Sequence, residues 1–271
     1  MHWNVALRTA GLWVILSLAV GQLTEQEKSN IIDLHNDIRS TVQPSAAFMQ
    51  KVVWDETLRL VAEAYASKCI WKHNPQLEEL RMGENLFVGT GPFNATKALL
   101  NWFKERVDYD FENNSCPEHK MCGHYTQMVW ADSSRIGCAT HFCDTLEGLS
   151  FKKATLLVCD YFPAGNYNGK KPYESGAPCS KCPEDLSSCE DNICVAENLF
   201  NSSDKPESED TEAPTVLPTH PGTTTEPFTV PEEPTQVHVN IERAIESEMN
   251  HGSKMESVSA SLLMLVWLLV L

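Results

Sequence analysis

Positive charge is scarce in this chain. Of 271 residues, 21 are Lys or Arg and 37 are Asp or Glu, giving a formal net charge of −16. Phosphate backbones are held by clustered cations, so this balance argues against nucleic acid as a partner. No stretch reaches the roughly 20 consecutive apolar residues that a spanning helix needs. Two hydrolase signatures are missing: no His-Glu-x-x-His and no Gly-x-Ser-x-Gly occurs. Ser133 and Ser134 have no base or oxyanion hole suggested by their surroundings in sequence. No internal repeat is evident. The ten cysteines are even in number and lie between Cys69 and Cys194, so no thiol is left over as a nucleophile. Catalysis is therefore not expected.

What is present first indicates a compartment. Arg8 precedes an apolar stretch from Leu12 to Val20, and Ala19-Val20-Gly21 offers small residues for cleavage near Gly21. Residues 1–21 read as a secretory signal peptide. At the other end Leu262 to Leu271 is unbroken apolar sequence, preceded by Gly252, Ser253 and Lys254. This pattern predicts a glycosylphosphatidylinositol attachment signal over residues 253–271, with a short membrane span as the alternative. In such a compartment ten cysteines form a disulfide framework. The sequons at Asn94, Asn113 and Asn201 then become N-glycosylation sites.

The acid surplus is concentrated late in the chain. Residues 197–256 contain 13 acidic and three basic side chains. Rich in Thr, Pro and Glu, residues 196–252 cannot bury enough apolar surface to offset chain entropy. They are expected to be a disordered stalk, O-glycosylated around Thr223, Thr224 and Thr225. Residues 22–167 are long enough for one substantial core, and residues 168–195 form a turn-rich stretch with four cysteines.

Periodicity places the elements. Thr24 to Glu27 reads as a capping box, and behind it Ile31, Leu34, His35, Ile38 and Val42 share a helical face up to Pro44. A second helix starts near Asp55 and ends near Cys69. A third runs from Thr96 to about Val107, and a fourth begins near His124. Strands are expected over Glu84–Val88, Arg135–Cys143 and Ala154–Tyr161.

Two blocks carry the strongest signal. The first is Gly123-His124-Tyr125-Thr126-Gln127-Met128-Val129-Trp130-Ala131-Asp132, running into Arg135-Ile136-Gly137-Cys138. The second is Leu157-Val158-Cys159-Asp160-Tyr161-Phe162-Pro163-Ala164-Gly165-Asn166-Tyr167. With Leu34-His35-Asn36-Asp37-Ile38-Arg39 and Val53-Trp54-Asp55-Glu56-Thr57-Leu58, they resemble the CAP superfamily of cysteine-rich secretory, antigen 5 and pathogenesis-related 1 proteins. The resemblance covers residues 30 to 195. It implies an α+β fold, a three-layer α-β-α sandwich followed by a small disulfide-rich hinge. One departure stands out: Asp160 occupies a position where that signature usually has Asn or another polar residue.

The resemblance also implies a cleft lined by His73, Glu84, Glu105 and His124, in which His73 and His124 can hold a divalent, zinc-like metal. Neutral imidazoles suit such an ion, and carboxylates behind them can orient the rings. Read without the family, the four residues follow no spacing rule. A buried hydrogen-bonded network that stabilises the fold is then the competing interpretation, and no cofactor is required. The family pattern implies Cys69–Cys143, Cys138–Cys159 and a local Cys116–Cys122 pair. In the hinge it implies Cys179–Cys189 and Cys182–Cys194, against a four-cysteine zinc knuckle. The functional expectation is a secreted, membrane-tethered binding module for an extracellular protein or protease, acting as a peptidase inhibitor. Carriage of a sterol or other small lipid is the alternative, and a metal-dependent hydrolase is third. The loop from Asp144 to Lys153 has a single aromatic residue, Phe151, so no aromatic-lined lipid site is expected there.

Overall fold

The computed structural model describes residues 22–197. The predicted signal peptide, the stalk beyond residue 197, the anchor segment and the Asn201 sequon lie outside the described residues.

Helices start where side chains satisfy otherwise unpaired backbone amides. Helix α1 (Glu25–Ser40) opens on the capping box: the Thr24 side chain accepts from Glu27 N–H, and the Glu27 carboxylate accepts from Thr24 N–H. Asp55 caps helix α2 (Glu56–Ala66) by accepting from the amides of Thr57 and Leu58. The third helix of any length, α4 (Ala95–Lys104), is capped by Asn94 and continues as a 3-10 turn over Glu105–Val107. Between them lies the single turn α3 (Leu77–Leu80), which periodicity did not predict. The fourth expected helix is the short α5 (Gly123–Met128).

A four-stranded sheet contains β1 (Val53–Trp54), β2 (Gly83–Thr90), β3 (Arg135–Thr145) and β4 (Lys152–Phe162), in the order β1-β3-β4-β2. Strand β1 runs parallel to β3, and the other pairings are antiparallel. On one face α1, α4 and α5 enclose Ile31, Ile38, Leu99, Trp102, Ile136 and Leu157. On the other, α2 lays Ala62, Tyr65 and Ala66 against Ala139, Leu156 and Val158. The result is a three-layer α-β-α sandwich. Gly137 allows the α2 layer to approach: a Cβ there would lie 2.1 Å from Arg59 N and 2.5 Å from Asp55 O.

The cysteine-rich stretch folds back onto the sandwich. It forms a hairpin of β5 (Ser188–Glu190) and β6 (Ile193–Val195), and Cys194 N–H donates to Met49 O at 2.8 Å. Tyr173 is buried and stacks on Phe111 with ring centroids 4.6 Å apart.

Candidate cleft of paired histidines and glutamates

Successive side chains of β2, an edge strand, point to opposite faces of the sheet and so reach both layers. Glu84 points to the α2 side, and Asn85 to the α1, α4 and α5 side. The four candidate residues form two hydrogen-bonded couples around this strand.

In the first couple, Glu84 Oε1 accepts from His73 Nδ1 at 2.7 Å and from Asn74 N–H at 3.0 Å. The Glu84 side chain is fully buried, whereas that of His73 is 60% exposed. His73 sits in the loop after α2, and Tyr65 fastens that loop by donating to Lys72 O at 2.6 Å. In the second couple, Glu105 Oε1 accepts from His124 Nδ1 at 2.6 Å. Glu105 Oε2 accepts from the backbone amides of His124 and Tyr125 at 3.0 and 3.3 Å. Helix α5 has no side-chain cap of its own. Glu105 supplies that cap from a different element and places negative charge at the helix start.

Further contacts fix His124. Its ring stacks on Trp102, 10° from coplanar with centroids 5.9 Å apart. Trp102 Nε1–H donates in turn to Leu86 O of β2 at 3.1 Å. Asn85 Nδ2 donates to His124 O and to the Tyr161 hydroxyl, and that hydroxyl donates to His35 Nε2 at 3.0 Å. His35 Nδ1–H donates to Ile31 O at 2.7 Å. Complete burial lowers the His35 pKa to about 4, so this imidazole is a neutral structural group. Arg39, also fully buried, donates to the carbonyls of Gln50, Met128, Trp130, Ala131 and Ser133, and so shapes the turn that follows α5. Trp102, Asn85 and Tyr161 support the candidate residues, a role that sequence reasoning did not identify. The only signal was their membership of apolar or signature segments, where a packing role is the default.

The two imidazoles are the candidate donors for a divalent ion. In both histidines Nδ1 is committed to a carboxylate, which leaves the Nε2 lone pair to coordinate metal. This is the arrangement in which a carboxylate orients a metal-bound imidazole. The other metal candidate does not fit. The sulfurs of Cys179, Cys182 and Cys194 lie within 4.8 Å of one another, but all three are in disulfides and offer no thiolate. The structure pairs Cys69 with Cys143, Cys116 with Cys122, Cys138 with Cys159, Cys179 with Cys189 and Cys182 with Cys194. Asn94 and Asn113 are both exposed; the first caps α4 through its Oδ1, and the second donates to Asp110 Oδ2 at 2.7 Å.

Ser133 is buried between Gln127 Nε2, from which it accepts, and Pro163 O, to which it donates at 2.7 Å. It braces the two signature blocks and is not presented as a nucleophile. Elsewhere a cavity of about 550 Å³ is lined by Phe87, Val88, Pro92, Phe93, Lys97 and Phe151, among others. Phe151 is the one aromatic residue of the Asp144–Lys153 loop, and the fold brings it to the same cavity as Phe87 and Phe93, which are distant in sequence.

Comparison with known proteins follows the same lines. Residues 32–161 match the family model described as CAP, the cysteine-rich secretory protein family. Peptidase inhibitor 16 of Mus musculus is 47% identical over 173 residues, spanning 64% of this chain and 34% of that protein. Peptidase inhibitor 15 of Gallus gallus is 44% identical over 184 residues, spanning 64% of this chain and 71% of that protein. The chain thus spans about a third of the length of the peptidase inhibitor 16 relatives it matches. Among solved structures, NaASP2 with Zn2+ is similar with a TM-score of 0.52 and 29% identity, over 65% of this chain and 98% of that one.

Proposed function

The chain belongs to the CAP family of cysteine-rich secretory proteins, and from that premise we propose that it is an extracellular, membrane-tethered binding module. Its partner is an extracellular protein, with a peptidase as the class indicated by the names of its relatives. Its cleft binds a divalent ion through His73 and His124.

The observation that carries the cleft reading is the matched pair of Nδ1–carboxylate bonds at 2.7 and 2.6 Å. They fix the tautomer of both rings and present Nε2 as the ligand atom. A similar solved structure was determined with Zn2+. A bound ion would supply positive charge to anchor an anionic group of a partner. The protein's own residues, Glu84 and Glu105, orient the imidazoles. Because an imidazole must be deprotonated to ligate, affinity falls on acidification. Zinc titration calorimetry on the full chain tests this: the double substitution His73→Ala, His124→Ala should abolish binding, and unchanged affinity would place the ion elsewhere. The inhibitor reading is tested by titrating the full chain against a panel of extracellular proteases. Slowing of at least one at stoichiometric concentration is expected, and no inhibition across the panel removes the claim.

The Phe87, Phe93 and Phe151 cavity favours a second reading, carriage of a sterol or other small lipid. About 550 Å³ falls within the usual range for small-molecule pockets. Lipid should then co-purify with the wild type and be lost from Phe87→Ala, Phe151→Ala.

A further inference from the structure

We propose that Asp160 is a buried carboxylic acid whose proton serves Glu84, making Asp160 a positioning residue behind the His73 side of the cleft. Glu84 and Asp160 are register partners on β2 and β4. Directly opposed residues of an antiparallel pair share one face with Cβ atoms about 5 Å apart. Asp160 is completely buried, and neither of its carboxyl oxygens has a hydrogen-bond partner. Glu84 Oε2 is likewise buried without a partner. Two adjacent carboxylates thus present three unserved acceptors away from water, an arrangement that ionisation of both groups would heavily penalise.

One proton resolves it. A protonated Asp160 offers an O–H donor, and Glu84 Oε2 is the acceptor facing it across the strands, directly or through one water. The two groups are not equivalent. Glu84 Oε1 already accepts from His73 Nδ1 and Asn74 N–H, both of which stabilise its anion, whereas Asp160 has no such donor. The charge therefore stays on Glu84 and the proton on Asp160. Burial, and then the Glu84 charge, push the Asp160 carboxyl up to about 8.

The surrounding elements are consistent with this. Strand β3 places Gly137, without a side chain, opposite Asp160. From α2 the titratable group on this face is Tyr65, whose hydroxyl is committed to Lys72 O. Nearby Arg59 directs its guanidinium to Glu56 and Glu63. Held from behind, Glu84 keeps one oxygen turned to His73. The proton is held whether or not the cleft binds an ion, so failure of the metal reading would leave it in place.

Infrared difference spectroscopy of the full chain tests it. At about pH 7 the wild type should show the C=O band of one protonated carboxyl. Raising the pH should remove that band with a midpoint near 8. The band should be absent from Asp160→Asn and persist in Glu84→Gln, titrating lower because the facing charge is gone. A wild type without the band overturns the proposal. So does a band that survives Asp160→Asn and vanishes in Glu84→Gln, since the proton would then sit on Glu84. A wild type that lacks the band overturns the proposal even where a variant fails to fold.

Discussion

The two histidine–glutamate couples of the cleft share one hydrogen-bond chemistry but differ in how the fold holds them. His124 is enclosed: its side chain is 14% exposed, stacked on Trp102, and its carboxylate partner also caps α5. His73 is 60% exposed on a loop, held by a carboxylate that is fully buried beside Asp160. At His124 the imidazole is the fixed part. At His73 the fixed part is the acid, and the imidazole is the exposed part. A couple that doubles as a helix cap cannot move without loosening the fold, whereas an exposed ring on a loop can.

That contrast can be broken or sharpened experimentally. The largest effect is expected from Trp102→Ala, which removes a buried indole and the plate against which His124 rests. It should destabilise the protein by about 3–5 kcal/mol, measured by chemical denaturation. An unchanged midpoint would show that His124 is not locked in this way. Next, Glu105→Ala removes three hydrogen bonds and the α5 cap. A loss of about 2–3 kcal/mol is expected, with weakened zinc binding.

The pH dependence of stability examines the His73 side. Asp160 is raised from 3.8 to about 8, so its folded state retains a proton that the unfolded chain releases. Its contribution is complete below 3.8 and is lost as pH rises through 8. His35 is lowered from 6.5 to about 4, so its contribution is present above 6.5 and is lost as pH falls through 4. The two slopes oppose each other between about 4 and 6.5, and above that only Asp160 remains. Stability should therefore fall between pH 6.5 and 8, by at most about 1.4 kcal/mol per pH unit. The same denaturation series on Asp160→Asn should be flat there, and an identical slope would remove Asp160 as its source. The smallest effect on stability is expected from His73→Ala, about 1 kcal/mol, because Asn74 N–H still serves Glu84 Oε1. Its zinc affinity should nevertheless drop tenfold or more, roughly the scale of lost metal-site contacts. A large loss of stability would mean that His73 is as structural as His124.

Much of the scaffold is legible in local chemistry. Thr24, Asp55 and Asn94 mark helix starts because a short polar side chain satisfies amides within its own turn. The alternation along β2, β3 and β4 places those strands within a few residues of their observed bounds. The same local logic fails for β1, whose two residues pair in parallel with β3 across a separation of 82 positions. Neither could it reveal Glu105 as the cap of α5, since a cap borrowed from another element has no signature at the helix start.

Residue types and their order by themselves determined the disulfide-rich class and the α+β pattern, while the four polar candidates came from the family resemblance. Tertiary structure alone decided which histidine is locked and which is open. It also decided that Phe151 meets Phe87 and Phe93, and that Asp160 faces Glu84 across the sheet with no donor of its own. The physical reason is range. Capping and amphipathicity act over a turn or a strand and leave their mark in sequence. Burial, the facing of charges and the sharing of a proton depend on distances that exist only once the strands have paired.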